Sequence, residues 1–278
     1  SLTQMANGLL KNGSLRPAAK RLVRRTRLWL TPLSALLALV VWEALSRLPN
    51  MPAFILPGPG RVWQRFLLAA GDGTLLRHTG ATLLEVMLGL LAGVLLATFT
   101  GYWIARSHLF EQMVAPYLVA SQAIPIVAIA PLLVIWFGPG IGSKILICSL
   151  TVFFPVLVNT IVGLRAVPAD LRALMQSLRA TRLQMLTYLE IPSALPVFLG
   201  GLRVGATLSV IGAVVGEFVG SDRGLGFLVN VARGQYDTAL VFVAVITLTT
   251  LAISLYGSVL LMEQRLLRWQ HSPEKEVL

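Results

Sequence analysis

The chain has 278 residues, 56% of them hydrophobic and only 13% charged, with a formal net charge of +11. That is too apolar for an ordinary soluble domain, and several uncharged runs of about 20 residues or more fit membrane-spanning helices, since lipid offers unpaired backbone groups no partner. The alternating strands of a membrane barrel are absent, no soluble domain carries a nucleic-acid surface, and the single Cys148 allows neither a disulfide framework nor a metal cluster.

Residues 1–27 hold seven Lys and Arg and no acidic residue, which reads as a basic arm attracted to anionic lipid. A targeting signal is disfavoured because the apolar run Leu28–Trp42 lacks a small-residue cleavage site. The first span is expected over 28–47, with Glu43 at the interface. In the connecting region 48–78, Leu56-Pro57-Gly58-Pro59-Gly60 is a turn signal and Arg61–Ala70 a short surface helix. The second span, 79–105, has Glu85 near its boundary. It carries Gly89, Gly93, Ala97 and Gly101 at four-residue spacing, a ridge that lets another helix approach closely.

Met113–Ser143 contains no charge, yet its 31 residues exceed one span. The turn Phe137-Gly138-Pro139-Gly140 separates a third span, 114–137, from a fourth, 144–164. Pro125 and Pro131 fall inside the third, which is therefore expected to be kinked or locally unwound. Irregular backbone at membrane depth needs cover from protein or an aqueous cavity, so span three is a candidate pathway wall.

Val167–Pro196 is the one long charged amphipathic segment between apolar ones. Leu171, Leu174, Met175 and Leu178 recur at i, i+3, i+4 and i+7, Asp170 lies in the first turn, and Pro168 suits a first helical position. Thr181 and Gln184 have capping-box spacing, so two short helices are expected, joined near Arg179–Thr181. A fifth span, 193–219, repeats the small-residue ridge with Gly201, Gly205, Ser209 and Ala213. A loop with a short helix covers 220–238, the sixth span 239–262, and a polar tail 263–278. With both termini inside, the arm holds seven Lys/Arg, the 2–3 loop Arg106, the amphipathic region four and the tail three, against seven in the outside loops. That bias puts the amphipathic segment in the cytoplasm.

Four polar residues within spans are candidates for a functional role. Arg203 and Glu217 lie on span five, about 21 Å apart at helical rise, too far to pair with each other in one subunit. Arg203 either holds a structural partner or faces the pathway, and Glu217 either does so or sits at the interface. Gln122 and Asn159 line the pathway or bond between helices. His78, His108 and His271 are dispersed, and no phosphate-binding loop ending in Lys-Ser/Thr occurs.

Leu189-Glu190-Ile191-Pro192, Ser193-Ala194-Leu195-Pro196 and Gly201-Leu202-Arg203 resemble the end of the coupling-loop signature of binding-protein-dependent ABC importer permeases. At its beginning, Ala173, Leu174 and Met175 stand where the family has Glu-Ala-Ala, and Arg179 where it has Gly. The wider resemblance, over most of residues 50–262, is to the sulfonate, taurine, nitrate and pyrimidine-precursor branch. It implies an all-α, polytopic membrane protein with six transmembrane helices in a permease domain 28–262 and a cytoplasmic coupling helix (segment 167–190) between spans four and five. The implied coupling residues are Ala173, Leu174, Met175, Ser177, Leu178, Arg179, Ala180, Thr181 and Gln184. The implied partners are a second permease subunit as a homodimer, two cytoplasmic ATPase subunits that bind ATP with Mg, and an external substrate-binding protein, with no cofactor, metal or nucleic acid on this chain. The implied location is the bacterial inner membrane with both termini cytoplasmic, and the implied substrate a small anion, sulfonate or heterocyclic vitamin precursor. The alternative is a secondary transporter or channel without ATPase partners, which calls for internal repeats or charged relays within spans.

Overall fold

The computed structural model describes residues 17–48, 52 and 54–268, so the first sixteen residues of the basic arm and the tail beyond Arg268 lie outside it. The chain divides into two units, Ser1–Trp63 and Gln64–Leu278. In the first, helix α1 (Pro17–Ser46) takes in residues 17–27, so that part of the arm continues into the first apolar run. Trp42 Nε1 donates to Pro57 O at 3.1 Å, which holds the expected Pro-Gly turn against the helix end. Helix α2 (Pro59–Gly71) follows, as its amphipathic pattern implies.

The second unit continues with α3 (Thr74–Arg106), α4 (His108–Gln122), α5 (Ile126–Phe137) and α6 (Ile141–Arg165). Then come α7 (Ala169–Ser177), α8 (Arg182–Met185), a π-helical turn (Leu186–Glu190), α9 (Ile191–Gly220), α10 (Leu225–Gly234) and α11 (Thr238–Leu266). Four helical stretches are long and apolar enough to cross a membrane: α3, α6, Arg182–Gly220 and α11. The pair α4–α5 makes a fifth if it is one span. Among the described residues, then, the expected six spans appear as four or five, with α1 contributing the shorter apolar stretch Pro32–Ser46.

Helix α6 is the element the others pack on, and glycine makes that possible. A Cβ at Gly93 of α3 would lie 2.7 Å from the Ser149 carbonyl oxygen, and one at Gly101 2.9 Å from Thr160 Cγ2. From α9, a Cβ at Gly201 would lie 2.5 Å from Asn159 Cβ, and one at Gly205 3.2 Å from Val152 Cγ1. Both small-residue ridges thus meet α6. Because lipid tails are as apolar as leucine, such close contact is what holds membrane helices together. Three buried clusters mark the result. Ala97, Val152, Val156 and Leu157 join α3 to α6; Val86, Cys148, Val210, Ala213 and Leu251 add α9 and α11; Ala130, Leu133, Ile147 and Val215 add α5. The opposite faces, such as Leu91, Leu95, Phe99 and Trp103 of α3, are exposed.

Two irregularities come from proline. Span three breaks at Ala123–Pro125, with α4 and α5 bent by 94°. Pro125 cannot donate and its ring displaces the preceding turn. Pro131, in contrast, lies within α5. The second irregularity corrects the sequence expectation of two short coupling helices. The second does not end before span five but runs on from Arg182 to Gly220 through the π turn, closed by Ile191 N to Leu186 O. Pro192 would strike the carbonyl four residues back in a regular helix, and the wider turn makes room for its ring.

Candidate functional site

The coupling segment is built from helix-end chemistry. Helix α7 closes with the Arg179 N–H on Gln176 O at 2.9 Å and the Ala180 N–H on Met175 O at 3.0 Å. Arg179 itself is left-handed, φ 55. This is the paired-bond helix stop in which glycine is usual. The next helix opens with the expected capping box: Thr181 Oγ1 accepts from Gln184 N at 3.3 Å and Gln184 Oε1 from Thr181 N at 2.8 Å. Pro168 sits one residue ahead of its expected place, at the N-cap. The apolar stripe divides. Met175 is half-buried, whereas Leu171, Leu174 and Leu178 are 43%, 55% and 69% exposed. Ala173, Ser177 and Arg179 are exposed beside them.

One ion pair fastens this segment to a span end, and a second joins two helices beside it. Glu190, buried in the π turn, pairs with Arg106 of α3 at 2.9 Å, and Arg165 of α6 pairs with Glu111 of α4. Arg172 Nη2 donates to Leu164 O at 2.8 Å, satisfying one of the carbonyls left open at the end of α6. The sequence shows Arg106 only as a loop cation and Glu190 only as part of the Leu189–Pro192 motif, and it singles out neither Glu111 nor Arg165. The available signal was their position within three residues of an expected span end.

The polar residues expected within spans do not converge. Arg203 forms an ion pair with Glu263 of α11 at 3.1 Å and lies over the Tyr256 ring at 5.9 Å. Glu263, the first residue of the polar tail, lies on the helical continuation of the sixth span, which runs to Leu266. Asn159 Nδ2 donates to Pro155 O at 2.8 Å, and its Cβ side abuts Gly201, so it bonds its own helix at the α6–α9 contact. Gln122, at the end of α4, is exposed and borders a cavity of 470 Å³ shared with Ile124, Ile126, Thr151 and Phe154.

Glu217 is not paired with Arg203 but buried against neighbouring helices. It is 1% exposed and caps α10 at the end of the spans opposite the coupling segment. Its carboxylate accepts from Thr82 Oγ1 at 2.6 Å and from the Gly226 N–H. Thr82 in turn accepts from Leu225 N at 2.7 Å, and His78 Nδ1 accepts from Gly224 N at 3.0 Å. Three successive amide donors at a helix start are thus taken by side chains of α3 and α9, with the carboxylate on the positive dipole end. Gly224, φ 110, leaves room for that carboxylate where any Cβ would collide with it. Beside it, Lys144 pairs with buried Glu85 at 2.6 Å and donates to Ser221 at 2.8 Å. Glu85, expected near the boundary, is 2% exposed. A cavity of 1150 Å³ opens next to this cluster, edged by Arg77, Asp222 and Arg223. The Arg223 guanidinium, hydrogen-bonded to Asp222, holds that exposed carboxyl below its usual range. No group of His, Cys, Asp and Glu among the described residues could hold a metal ion.

Residues 89–268 match the family described as the binding-protein-dependent transport system inner membrane component. The riboflavin transport system permease of Chloroflexus aurantiacus is 46% identical over 87% of this chain and 90% of its own length. The formylaminopyrimidine transport permease of Halalkalibacterium halodurans is 35% identical over 84% of this chain and 93% of its own. The taurine transport system permease of Escherichia coli is 33% identical over 83% and 86%. A crystal structure of an amino acid ABC transporter with histidines aligns with a TM-score of 0.57 at 18% identity, covering 72% of this chain and 98% of that one, a likeness of fold.

Proposed function

We propose a function from one premise: the chain belongs to the family of binding-protein-dependent transport system inner membrane components, the permease subunits of ABC importers. It is a membrane subunit whose ATPase activity lies in separate subunits, and it works with an external binding protein. In our reading, two copies form one pathway and two ATPase subunits carry ATP with Mg on the cytoplasmic side. Both termini face that side, following the Lys/Arg bias.

Helix α7 is the part that engages the ATPase. Its outward leucines 171, 174 and 178 are a contact surface that this chain leaves uncovered, and Met175 and Arg172 seat it on the span ends. Continuity of the helix from Arg182 to Gly220 gives the contact a lever. A displacement of α7 on ATP-driven closure passes through the π turn into α9, while the Arg106–Glu190 and Arg165–Glu111 pairs carry it to α3, α6 and α4. The spans then tilt between states open to either side, with no covalent intermediate on this chain.

For the cargo we propose a heterocyclic vitamin or its pyrimidine precursor over a sulfonate. The observation that carries this is the 46% identity to a riboflavin permease against 33% to a taurine permease, at nearly equal coverage. The test is reconstitution with the cognate ATPase and binding protein in proteoliposomes, with labelled riboflavin, formylaminopyrimidine and taurine compared for ATP-dependent uptake. Uptake of a heterocycle and not taurine is expected. Taurine uptake alone would overturn the cargo, and absence of ATP dependence the importer reading.

A further inference from the structure

Helix α5 runs 12 residues from the break in span three to Phe137. At helical rise that is about 18 Å, which puts Gln122–Pro125 near the middle of a hydrocarbon layer roughly 30 Å thick. Along α6, Pro155 lies about 21 Å from Ile141 and so reaches the same depth. The 470 Å³ cavity sits between these two proline-disturbed stretches, with Gln122, Ile124, Ile126, Thr151, Phe154 and Pro155 on its walls. Pro155 has no N–H, so the Thr151 carbonyl lacks its helical partner, and the Thr151 hydroxyl is committed to Ile147 O at 2.8 Å. Lipid cannot satisfy such groups, nor a glutamine amide at this depth, so the cavity must face protein or an aqueous path.

Charge decides what can enter it. The two cations inside apolar runs are both committed, Lys144 to Glu85 at 2.6 Å and Arg203 to Glu263 at 3.1 Å, and neither lines the cavity. No charged residue does. A sulfonate entering here would lose its water without gaining a counter-charge. An uncharged ring meets the Phe154 face, isoleucine walls, and an amide that both donates and accepts. We infer that this cavity is a transit site for the flat, uncharged heteroaromatic ring of the transported molecule, with Gln122 reading its polar edge and Phe154 stacking on its face. The assignment rests on the importer reading above and deepens it.

The experiment uses the permease–ATPase complex in nanodiscs without binding protein, titrated with riboflavin, whose fluorescence falls on ring stacking. A saturable quench is expected. Gln122→Leu and Phe154→Leu should each weaken it roughly three- to ten-fold, the range of one hydrogen bond or one ring contact. Taurine should not displace it. Melting temperatures of both variants serve as the folding control, and Gln122→Glu, which keeps the shape but brings an uncompensated charge, should weaken binding as well. No quench, a quench unchanged in both leucine variants, or one displaced by taurine would overturn the assignment. Binding-protein-stimulated ATP hydrolysis in the same samples separates the two readings. If it persists while the cavity variants behave as wild type, the cavity assignment falls and the importer stands.

Discussion

Arg179 adopts φ 55 at the end of α7, a conformation that costs a non-glycine residue about 1 kcal/mol. It persists because two helix-closing bonds, from Arg179 and Ala180, depend on it. Arg179→Gly removes that strain but adds freedom to the unfolded chain. Thermal unfolding of the purified complex should therefore show a change between zero and about 1 kcal/mol of stabilisation, with transport retained. A loss of about 1 kcal/mol would mean that the helix runs on through this position. Arg203 is a different case, because its partner Glu263 would be left behind. Both side chains are partly exposed, 29% and 20%, so solvent screens the pair. The penalty for Arg203→Gln is accordingly about 1–2 kcal/mol, short of the full cost of a buried orphan. Yield and melting temperature should fall together with transport, and Glu263→Gln in the same chain should restore part of both. A stable variant that does not transport would instead place Arg203 in the pathway. At this scale the sequence was legible where the chemistry is local, as in the Thr181–Gln184 box and the turn at Arg179. It was not legible where two distant residues meet. Glu217 on the α10 amides and Lys144 on Glu85 depend on which helices become neighbours, and no spacing rule reports that.

The elements were legible to within a few residues wherever an apolar run met a Gly-Pro turn. Two places where proline interrupts an apolar run came out differently: the kink expected in span three appears, whereas the expected end of the second short helix before span five does not. Pro125 broke span three outright, while Pro192 and Pro196 were absorbed into one helix with the help of a π turn. A proline marks where regular bonding fails without saying whether the chain turns or widens. The coupling segment can be tested as an element. Leu178 is 69% exposed on the outward stripe and touches no span core, so Leu178→Asp should leave insertion and subunit pairing intact. If α7 engages the ATPase as proposed, that leucine becomes a contact, and an unpaired charge buried there costs several kcal/mol, on the order of 2–5. Binding-protein-stimulated ATP hydrolysis and transport should collapse together. Single cysteines at Ser177 or Arg179 should cross-link to the ATPase. If every position from Ala173 to Gln184 fails to do so in a transporting complex, α7 is not the coupling helix.

At the scale of the whole molecule, one chain leaves two surfaces that water and lipid serve badly. The leucine stripe of α7 lies open, and so does the break in span three, with exposed Gln122 and Ile124 at what helical rise puts near mid-membrane if the pair is one span. Lipid cannot cover the break, because its backbone groups and the Gln122 amide would have no partners. A second copy of the permease can, and an aqueous pathway between the copies then has the break on its wall. In the proposed assembly the stripe is covered by an ATPase subunit, one per copy. Native mass spectrometry of the purified assembly should accordingly give two permease and two ATPase subunits. The copy-to-copy contact is checked by a single cysteine at Ile124 in a Cys148→Ser background. Serine keeps the hydrogen bond that Cys148 Sγ gives to Ser209 O, so the background should fold. Oxidative cross-linking of Ile124→Cys between two permeases is expected, together with a loss of transport that reductant reverses. A monomer that transports without ATPase subunits would remove the importer assembly. Two permeases that never cross-link at the break, in a complex that does transport, would move the pathway to another face of α6 and leave the stoichiometry standing.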